Sequence, residues 1–372
     1  MKISVVLPCR NEEKTIGICI EKIKKALFGQ DYEIIVSDSS KDKSAEIAKK
    51  AGAKVLKHNL EGYGNAYHVG LKKSKGDYII MGDADDTYDF LEIPKFVHEL
   101  DKGYDFVVGN RFAGKIEKGA MPFSHRYLGN PVLSGILRLF FHSKIKDAHC
   151  GMRAMRREIL EKLNLRTTGM EYASEMVIMA EKKKLKIKQI PISYYKRKGK
   201  SKLKSFSDGW RHLRFMLLYS PLFLFFLPGL FLFLFGFGSI VWIYLTPLKI
   251  FGITFYFYPM FLSSLLLIAG YQLIIFSAFA KTYAVTHLGM QNYFMERLYK
   301  KVTIEKASII GLLIIFVGLI VYLSIFSRWI GTGFGELNEI KNSILGLTLI
   351  VIGIQTIFSS FIMSILGIKS KN

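Results

Sequence analysis

The stretch Tyr78-Ile79-Ile80-Met81-Gly82-Asp83-Ala84-Asp85 runs an apolar segment straight into two carboxylates one residue apart. Paired aspartates at a strand end suit a hard divalent cation such as Mg2+ or Mn2+, which takes oxygen ligands and leaves positions open for phosphate oxygens. Two neighbouring Asp are more commonly turn or cap residues, so the surroundings decide. The chain closes in four long hydrophobic spans. An acidic pair able to hold a metal diphosphate, joined to a membrane anchor, points to chemistry between a soluble nucleotide and a lipid.

Upstream, Ile3 to Leu7 is a continuous apolar run ended by Pro8, as expected of a strand buried on both faces. A helical pattern opens at Asn11-Glu12-Glu13, with Ile16, Ile20, Ile23 and Leu27 on one face and Glu21, Lys22, Lys24 and Lys25 opposite. Ile34–Val36 is a second strand ending at Ser37-Asp38-Ser39-Ser40, Lys43–Ala51 a helix, and Ala53–Leu56 a third strand. Gly62-Tyr63-Gly64-Asn65 leads into another helix, Tyr78–Met81 is the fourth strand, and a helix over Glu92–Lys102 precedes a strand from Asp105 to Val108. This alternation predicts right-handed βαβ units and a parallel sheet, whose ligands bind at the carboxyl ends of the strands. Arg10, Asn11 and Glu12 follow the first strand, Asp38 the second, and Asp83 and Asp85 the fourth. Gly62-x-Gly64 lacks the third glycine of the dinucleotide fingerprint and follows the third strand, which argues against hydride transfer.

The 372 residues carry a net charge of +22. Residues 1–219 hold 42 of the 52 Lys and Arg and 26 of the 30 Asp and Glu, and read as a soluble, basic domain. Such charge serves anionic membrane surfaces or phosphorylated substrates. No zinc-finger, RNP or KH pattern supports nucleic acid as a partner. Cys9, Cys19 and Cys150 are widely spaced and form no C-x-x-C, so free cytosolic thiols are expected. Met1-Lys2 leads directly into a strand, so no signal peptide is expected.

Four spans, roughly Pro221–Leu245, Phe257–Ala280, Ala307–Phe326 and Ser343–Leu366, each reach the length needed to cross the hydrocarbon. The loop between the second and third carries Lys281, Arg297, Lys300, Lys301 and Lys306, whereas the others carry Lys249, and Arg328 with Lys341. The positive-inside rule then places this loop, both termini and the basic domain on the cytoplasmic side of the cell membrane. Two stretches read as interfacial helices in contact with membrane lipids: Phe206, Trp210, Leu213 and Leu217, and Leu128 through Phe141. For the second, packing against the soluble domain fits equally well. The expected organisation is a domain over 1–205, an amphipathic helix over 206–219, and a membrane domain over 220–372; a homo-oligomer is compatible with it.

Val5-Val6-Leu7-Pro8 with Asn11-Glu12, Asp38, Gly62-Tyr63-Gly64-Asn65-Ala66, Gly82-Asp83-Ala84-Asp85 and Gly109-Asn110-Arg111-Phe112 occur in that order. Asp147-Ala148-His149-Cys150-Gly151-Met152-Arg153, Gly169 to Met176, and Gly199-Lys200-Ser201-Lys202 follow. Together they resemble family-2 glycosyltransferases of the GT-A fold, close to the dolichyl- or polyprenyl-phosphate hexose synthases. The resemblance implies an α/β GT-A catalytic domain, Rossmann-like with a parallel-rich sheet, followed by an all-α four-helix transmembrane domain. It implies that Pro8, Arg10, Glu12 and Asp38 line the nucleotide pocket, with Gly64 and Ala84 beside it. Asp83 and Asp85 would hold the metal and the sugar diphosphate. Arg111, Arg126, Arg153, Lys200 and Lys202 would face phosphate, and Asp147 would lie near the reacting centre. The family's P-T-Y-N-E is Pro8-Cys9-Arg10-Asn11-Glu12 here, Ser37-Asp38 replaces a paired Asp, and Thr87 stands where mannose synthases often have Gln. These departures favour a UDP-glucose-type donor over GDP-mannose.

A lipid monophosphate is largely dianionic near neutrality and can attack an anomeric carbon without a strong base, giving inversion in a single displacement. What it needs is positive charge, and the arginine fork suits phosphate best. Asp147 could orient the acceptor, ligate metal, or cap a loop; Glu171 and Glu175 could serve catalysis or pair with the basic loop. A processive polysaccharide synthase would by family pattern carry Q-x-x-R-W, which is absent. A lipid flippase or scaffold with a degenerate transferase domain would need a polar pathway, and no charge lies inside the spans.

Overall fold

The computed structural model describes residues 2–199, 205–246, 248–250, 253–286 and 303–367, arranged in two units, Met1–Tyr219 and Ser220–Asn372. In the first unit, a seven-stranded sheet comprises β1 (Lys2–Cys9), β2 (Asp31–Asp38), β3 (Lys54–Lys57), β4 (Tyr78–Met81), β5 (Phe106–Asn110), β6 (Arg153–Arg156) and β7 (Ile187–Pro191). Their order is β3-β2-β1-β4-β6-β5-β7. The helices are α1 (Ile16–Ala26), α2 (Ser44–Lys50), α3 (Tyr63–Lys72), α4 (Ile93–Asp101), α5 (Asn130–Phe141), α6 (Arg157–Leu163), α7 (Tyr172–Lys182) and α8 (Ser205–Leu218). Val5, Val6, Ile79, Ile80, Val107 and Val108 are fully buried, as apolar strands covered on both faces must be.

The sheet is parallel-rich, as expected, with one strand running against the rest. β6 runs antiparallel to both β4 and β5, with Met81 opposite Arg153 and Tyr78 opposite Arg156. Arg153-Ala154-Met155-Arg156 is charged at both ends and carries no apolar run that would mark it as a strand. Its direction has a consequence. β6 begins where β4 ends, so the loop 142–152 that feeds it is delivered to the carboxyl edge of the sheet, beside Asp83.

The first helix starts at Ile16 rather than Asn11. Asn11 takes a left-handed φ of 53°, and the Glu12 carbonyl accepts from Thr15 and Ile16, so residues 10–15 remain a loop along the same edge. α8 belongs to the first unit and buries His212, Phe215 and Met216 while leaving Phe206 and Trp210 exposed. The other expected interfacial stripe divides: Leu137 is in the core, whereas Leu128 and Val132 face outward. All three cysteines are free and buried.

Among its described residues the second unit has four helices long and apolar enough to cross a membrane, Leu222–Leu245, Tyr258–Thr286, Ile304–Gly331 and Ile340–Gly367. The last two approach closely through glycine: a Cβ on Gly311 would lie 2.8 Å from the Gly353 carbonyl, and one on Gly318 3.0 Å from that of Gly346. Small residues of this kind let membrane helices pack backbone to backbone. Hydrogen bonds between Ser264 and Thr348 and between Tyr271 and Thr356, each 2.6 Å, tie the second and fourth helices.

Candidate active site

The carboxyl edge of β1, β2, β4 and β5 gathers most of the polar residues singled out above. Asp83 and Asp85 follow β4 directly. Asp83 Oδ1 accepts from the Tyr63 hydroxyl at 3.1 Å. Burial, and then the charge of Asp85, push its carboxyl up to about 7. Asp85 Oδ1 accepts from both the amide and the hydroxyl of Thr87, at 3.1 and 2.6 Å. Its Oδ2 lies 3.1 Å from Arg197 Nη1, and Arg197 Nη2 pairs with Glu12. Ala84 is buried between the two, its carbonyl accepting from Thr15 at 2.8 Å. Two carboxylates held in hydrogen-bonded positions, electrostatically strained together and already attracting a cationic side chain, fit a divalent ion that completes its shell with phosphate oxygens. No cluster of three or more His, Cys, Asp or Glu able to hold a metal occurs among the described residues. The pair thus fits a shared metal diphosphate rather than a protein cage.

Gly151, in the loop before β6, closes the other side. A Cβ there would meet Asp83 Oδ2 at 2.7 Å and the hydroxyls of Tyr63 and Tyr88 at 3.0 and 3.2 Å. Its amide donates to Tyr88 at 2.7 Å.

At the neighbouring strand ends, Cys9 and Asp38 are register partners of β1 and β2. Asp38 is buried; Oδ1 accepts from Ser40, and Oδ2 has no hydrogen-bond partner among the described residues. A buried carboxylate oxygen left open is costly and suits an N–H donor from a ligand. Pro8 is half-buried one residue before this point, and Arg10 sits outside it in an exposed pair with Glu61 at 2.8 Å.

Other expected residues fall elsewhere. Arg111 and Asp147 form a buried pair: the Arg111 amide, Nε and Nη2 donate to the carboxylate at 3.0, 2.8 and 2.8 Å. The Arg111 guanidinium also stacks over Tyr194. Its charge is therefore committed to Asp147, and Asp147 is wholly buried. Arg153 is likewise internal, donating to the carbonyls of Cys150, Ala173 and Ala148 at 2.7–2.8 Å; it knits the loop to α7. Arg153 thus spends one N–H of each guanidinium nitrogen on carbonyls of its own fold. Gly64 is a packing glycine, where a Cβ would lie 2.4 Å from the Thr167 carbonyl. Glu175 caps residues 166–167 through their amides and makes no ion pair with the basic loop among the described residues. Arg126 lies in a π-helical turn, half-buried, over the Tyr127 ring. Lys200 and Lys202 lie outside the described residues.

Tyr63 and Arg197 are not singled out by the sequence reading as candidate site residues, and Thr87 enters it only as a departure from the family pattern. Thr87 was legible from its place two residues after Asp85, the spacing of a side chain folding back on a carboxylate. Arg197 sits 112 residues beyond Asp85 in the sequence, and only the fold brings them together.

A family model described as Glycosyl transferase family 2 matches residues 4–164, and one described as Glycosyltransferase family 2 C-terminal transmembrane region matches 278–367. The chain is 38% identical to the low-salt glycan biosynthesis hexosyltransferase Agl6 of Haloferax volcanii, over 98% of this chain and 89% of that protein. It is 33% identical to the dolichyl-phosphate hexose transferase of the same organism, over 56% of this chain and 89% of the relative. Dolichol-phosphate mannosyltransferase of Pyrococcus furiosus is 30% identical over 55% of this chain and 60% of its own length. Among solved structures, glucosyl-3-phosphoglycerate synthase from Mycobacterium tuberculosis, crystallised with Mn2+, UDP and glucosyl-3-phosphoglycerate, superposes with a TM-score of 0.50 at 24% identity. The match covers 59% of this chain and 80% of that one, and at this identity the likeness is one of fold.

Proposed function

The chain belongs to glycosyl transferase family 2, and we propose that it transfers a hexose, glucose or mannose, from a nucleotide sugar to a polyprenyl phosphate such as dolichyl phosphate, with inversion, at the cytoplasmic face of the membrane. The observation that carries this reading is the Asp83/Asp85 pair at the end of β4, on a chain whose second unit has four helices of membrane-crossing length. The names of the Haloferax and Pyrococcus relatives support a lipid-phosphate acceptor.

Asp83 and Asp85 would hold Mg2+ or Mn2+, which when bound neutralises the departing nucleoside diphosphate. Asp38, with one carboxylate oxygen open, binds a nucleobase N–H, with Pro8, Arg10 and Glu12 along the same wall. Thr87 and Tyr63 fix the two carboxylates before substrate arrives, so little reorganisation remains for the reaction. Arg126 and the basic segment through Lys200 and Lys202 supply positive charge to the acceptor phosphate. Arg111, Asp147 and Arg153 act through structure: they hold the loop 147–152 against Asp83.

The deciding experiment incubates the full chain in lipid with a panel of labelled nucleotide sugars and polyprenyl phosphate. One donor should yield an organic-extractable, acid-labile product of inverted anomeric configuration, and EDTA should stop its formation reversibly. Turnover undiminished in EDTA, or label appearing only in long polysaccharide, would sink the reading.

A further inference from the structure

Arg197 lies between β7 and α8 and reaches back to the acidic edge. Its Nη1 is 3.1 Å from Asp85 Oδ2, and its other terminal nitrogen pairs with Glu12. The flanking residues hold it there. Tyr195 donates its amide to the Thr87 carbonyl at 2.9 Å, and Lys198 lies 2.7 Å from Asp86, which also takes Lys22 at 2.7 Å. Arg197 Nε is buried without an acceptor among the described residues. The guanidinium is therefore held by two carboxylates that face the site and not by a full set of hydrogen bonds.

A guanidinium cannot be neutralised by losing a proton. Any other cation that needs Asp85 Oδ2 must displace it. We propose that Arg197 is a latch: in the donor-free enzyme its guanidinium occupies the carboxylate that the divalent ion uses, and metal and nucleoside diphosphate together release it. The inference rests on the metal reading above. Metal alone would have to break the Arg197 contacts with nothing to receive the freed charge. A bound diphosphate offers the guanidinium a new anionic partner, so metal and nucleotide should bind with positive coupling. A latch of this kind keeps the acidic pair from capturing free divalent ions and makes the site assemble only around the complete donor.

The test is Mn2+ titration of the full chain in detergent, followed by the spectroscopic signal of free Mn2+, with and without UDP. Wild-type protein should bind Mn2+ weakly alone and much more tightly with UDP. Arg197→Gln should tighten binding in the absence of nucleotide by about tenfold, the worth of one charge-assisted contact, and should shrink the UDP effect correspondingly. Arg197→Lys should fall between, because an ammonium cannot span both carboxylates. Equal Mn2+ affinity in wild type and Arg197→Gln, with binding abolished by Asp85→Asn, would overturn the latch and leave the metal reading standing. Loss of Mn2+ binding in Arg197→Gln would also overturn it, making Arg197 a support of the site. Mn2+ binding untouched by Asp85→Asn would remove the metal reading and the latch with it.

Discussion

The turn after β4 and the loop before β6 each bring an aspartate to an arginine, and the two pairs differ in how completely they close. Asp147 accepts three hydrogen bonds from Arg111 in a site with essentially no solvent. Asp85 meets Arg197 through one oxygen, gives the other to Thr87, and stands beside a second carboxylate that raises the local negative charge. The first arrangement satisfies its charges internally and has nothing to offer a ligand. The second is under-compensated, so a stronger cation can improve on what the protein supplies. The presence of charged side chains at a strand end therefore does not make a site; the charge left over after the protein has paired its own groups does.

The largest effect that separates the two is catalytic. Asp85→Ala, and similarly Asp83→Ala, should lower turnover by about a thousandfold or more, since ion-assisted leaving-group departure is worth several kcal/mol. Neither should lower the thermal midpoint by more than about 2 °C, because removing one member relieves the repulsion between two closely spaced carboxylates and opens no apolar cavity. A large loss of stability with Asp85→Ala would put that pair in the structural class with Asp147. Next in size is Asp147→Asn, which strands the buried Arg111 charge. Breaking one side of a buried pair costs about 3–5 kcal/mol, a fall of roughly 10 °C in midpoint. An Asp147→Asn enzyme of unchanged midpoint and reduced turnover would instead return Asp147 to the reacting centre.

A smaller effect concerns pH. Asp83 is pushed up to about 7 by burial and then by Asp85, against about 3.9 in an unfolded chain. Between these values the folded protein carries a proton on Asp83 that the unfolded chain lacks. Asp83's own contribution to the stability of the metal-free, donor-free enzyme should therefore fall as pH rises through this window, by about 1.4 kcal/mol per pH unit, while the buried His149 and His212, pushed down by burial, act in the opposite sense below about pH 6.5. The contribution is read as the difference in unfolding free energy between wild type and Asp83→Asn, which should shift against the wild type from pH 5 to pH 7. A difference that stays constant over this range would mean that Asp83 is ionised throughout.

Much of the fold was legible because its signals are local. Apolar runs of strand length, a helical stripe from Ile16 to Leu27 and four long hydrophobic spans each declare themselves within a short window. β6 did not, since its four residues gain their burial from β4 and β5 on either side and not from their own hydrophobicity. The acidic half of the candidate site was equally legible, Asp83 and Asp85 being adjacent to their strand. The basic half was not. Arg111, Arg153 and Arg197 look alike in sequence, and only tertiary partners decide that the first faces Asp147, the second three carbonyls, and the third the acidic edge.

The smallest effect tests where the two regions touch. Gly151 belongs to the same loop as Asp147, yet its α-carbon faces Asp83, so Gly151→Ala should transmit a change from the structural pair's loop to the ligand-facing carboxylate. The added methyl would meet Asp83 Oδ2 at 2.7 Å and two tyrosine hydroxyls within 3.2 Å. All three are ends of side chains and can give way by a few tenths of an ångström. The backbone should hold, with a stability loss of no more than about 1 kcal/mol, while Asp83 turns away from Asp85. Turnover should then fall about tenfold, as a displacement of this size disturbs a positioned group, and Mn2+ affinity should weaken in parallel. Steady-state kinetics alongside thermal unfolding of the full chain distinguishes the outcomes. If Gly151→Ala destabilises as strongly as Asp147→Asn, the loop is one rigid structural block and Asp83 is set by it. If neither turnover nor metal affinity changes, Asp83 has room that the close packing around Gly151 denies it, and the loop does not position the acidic pair.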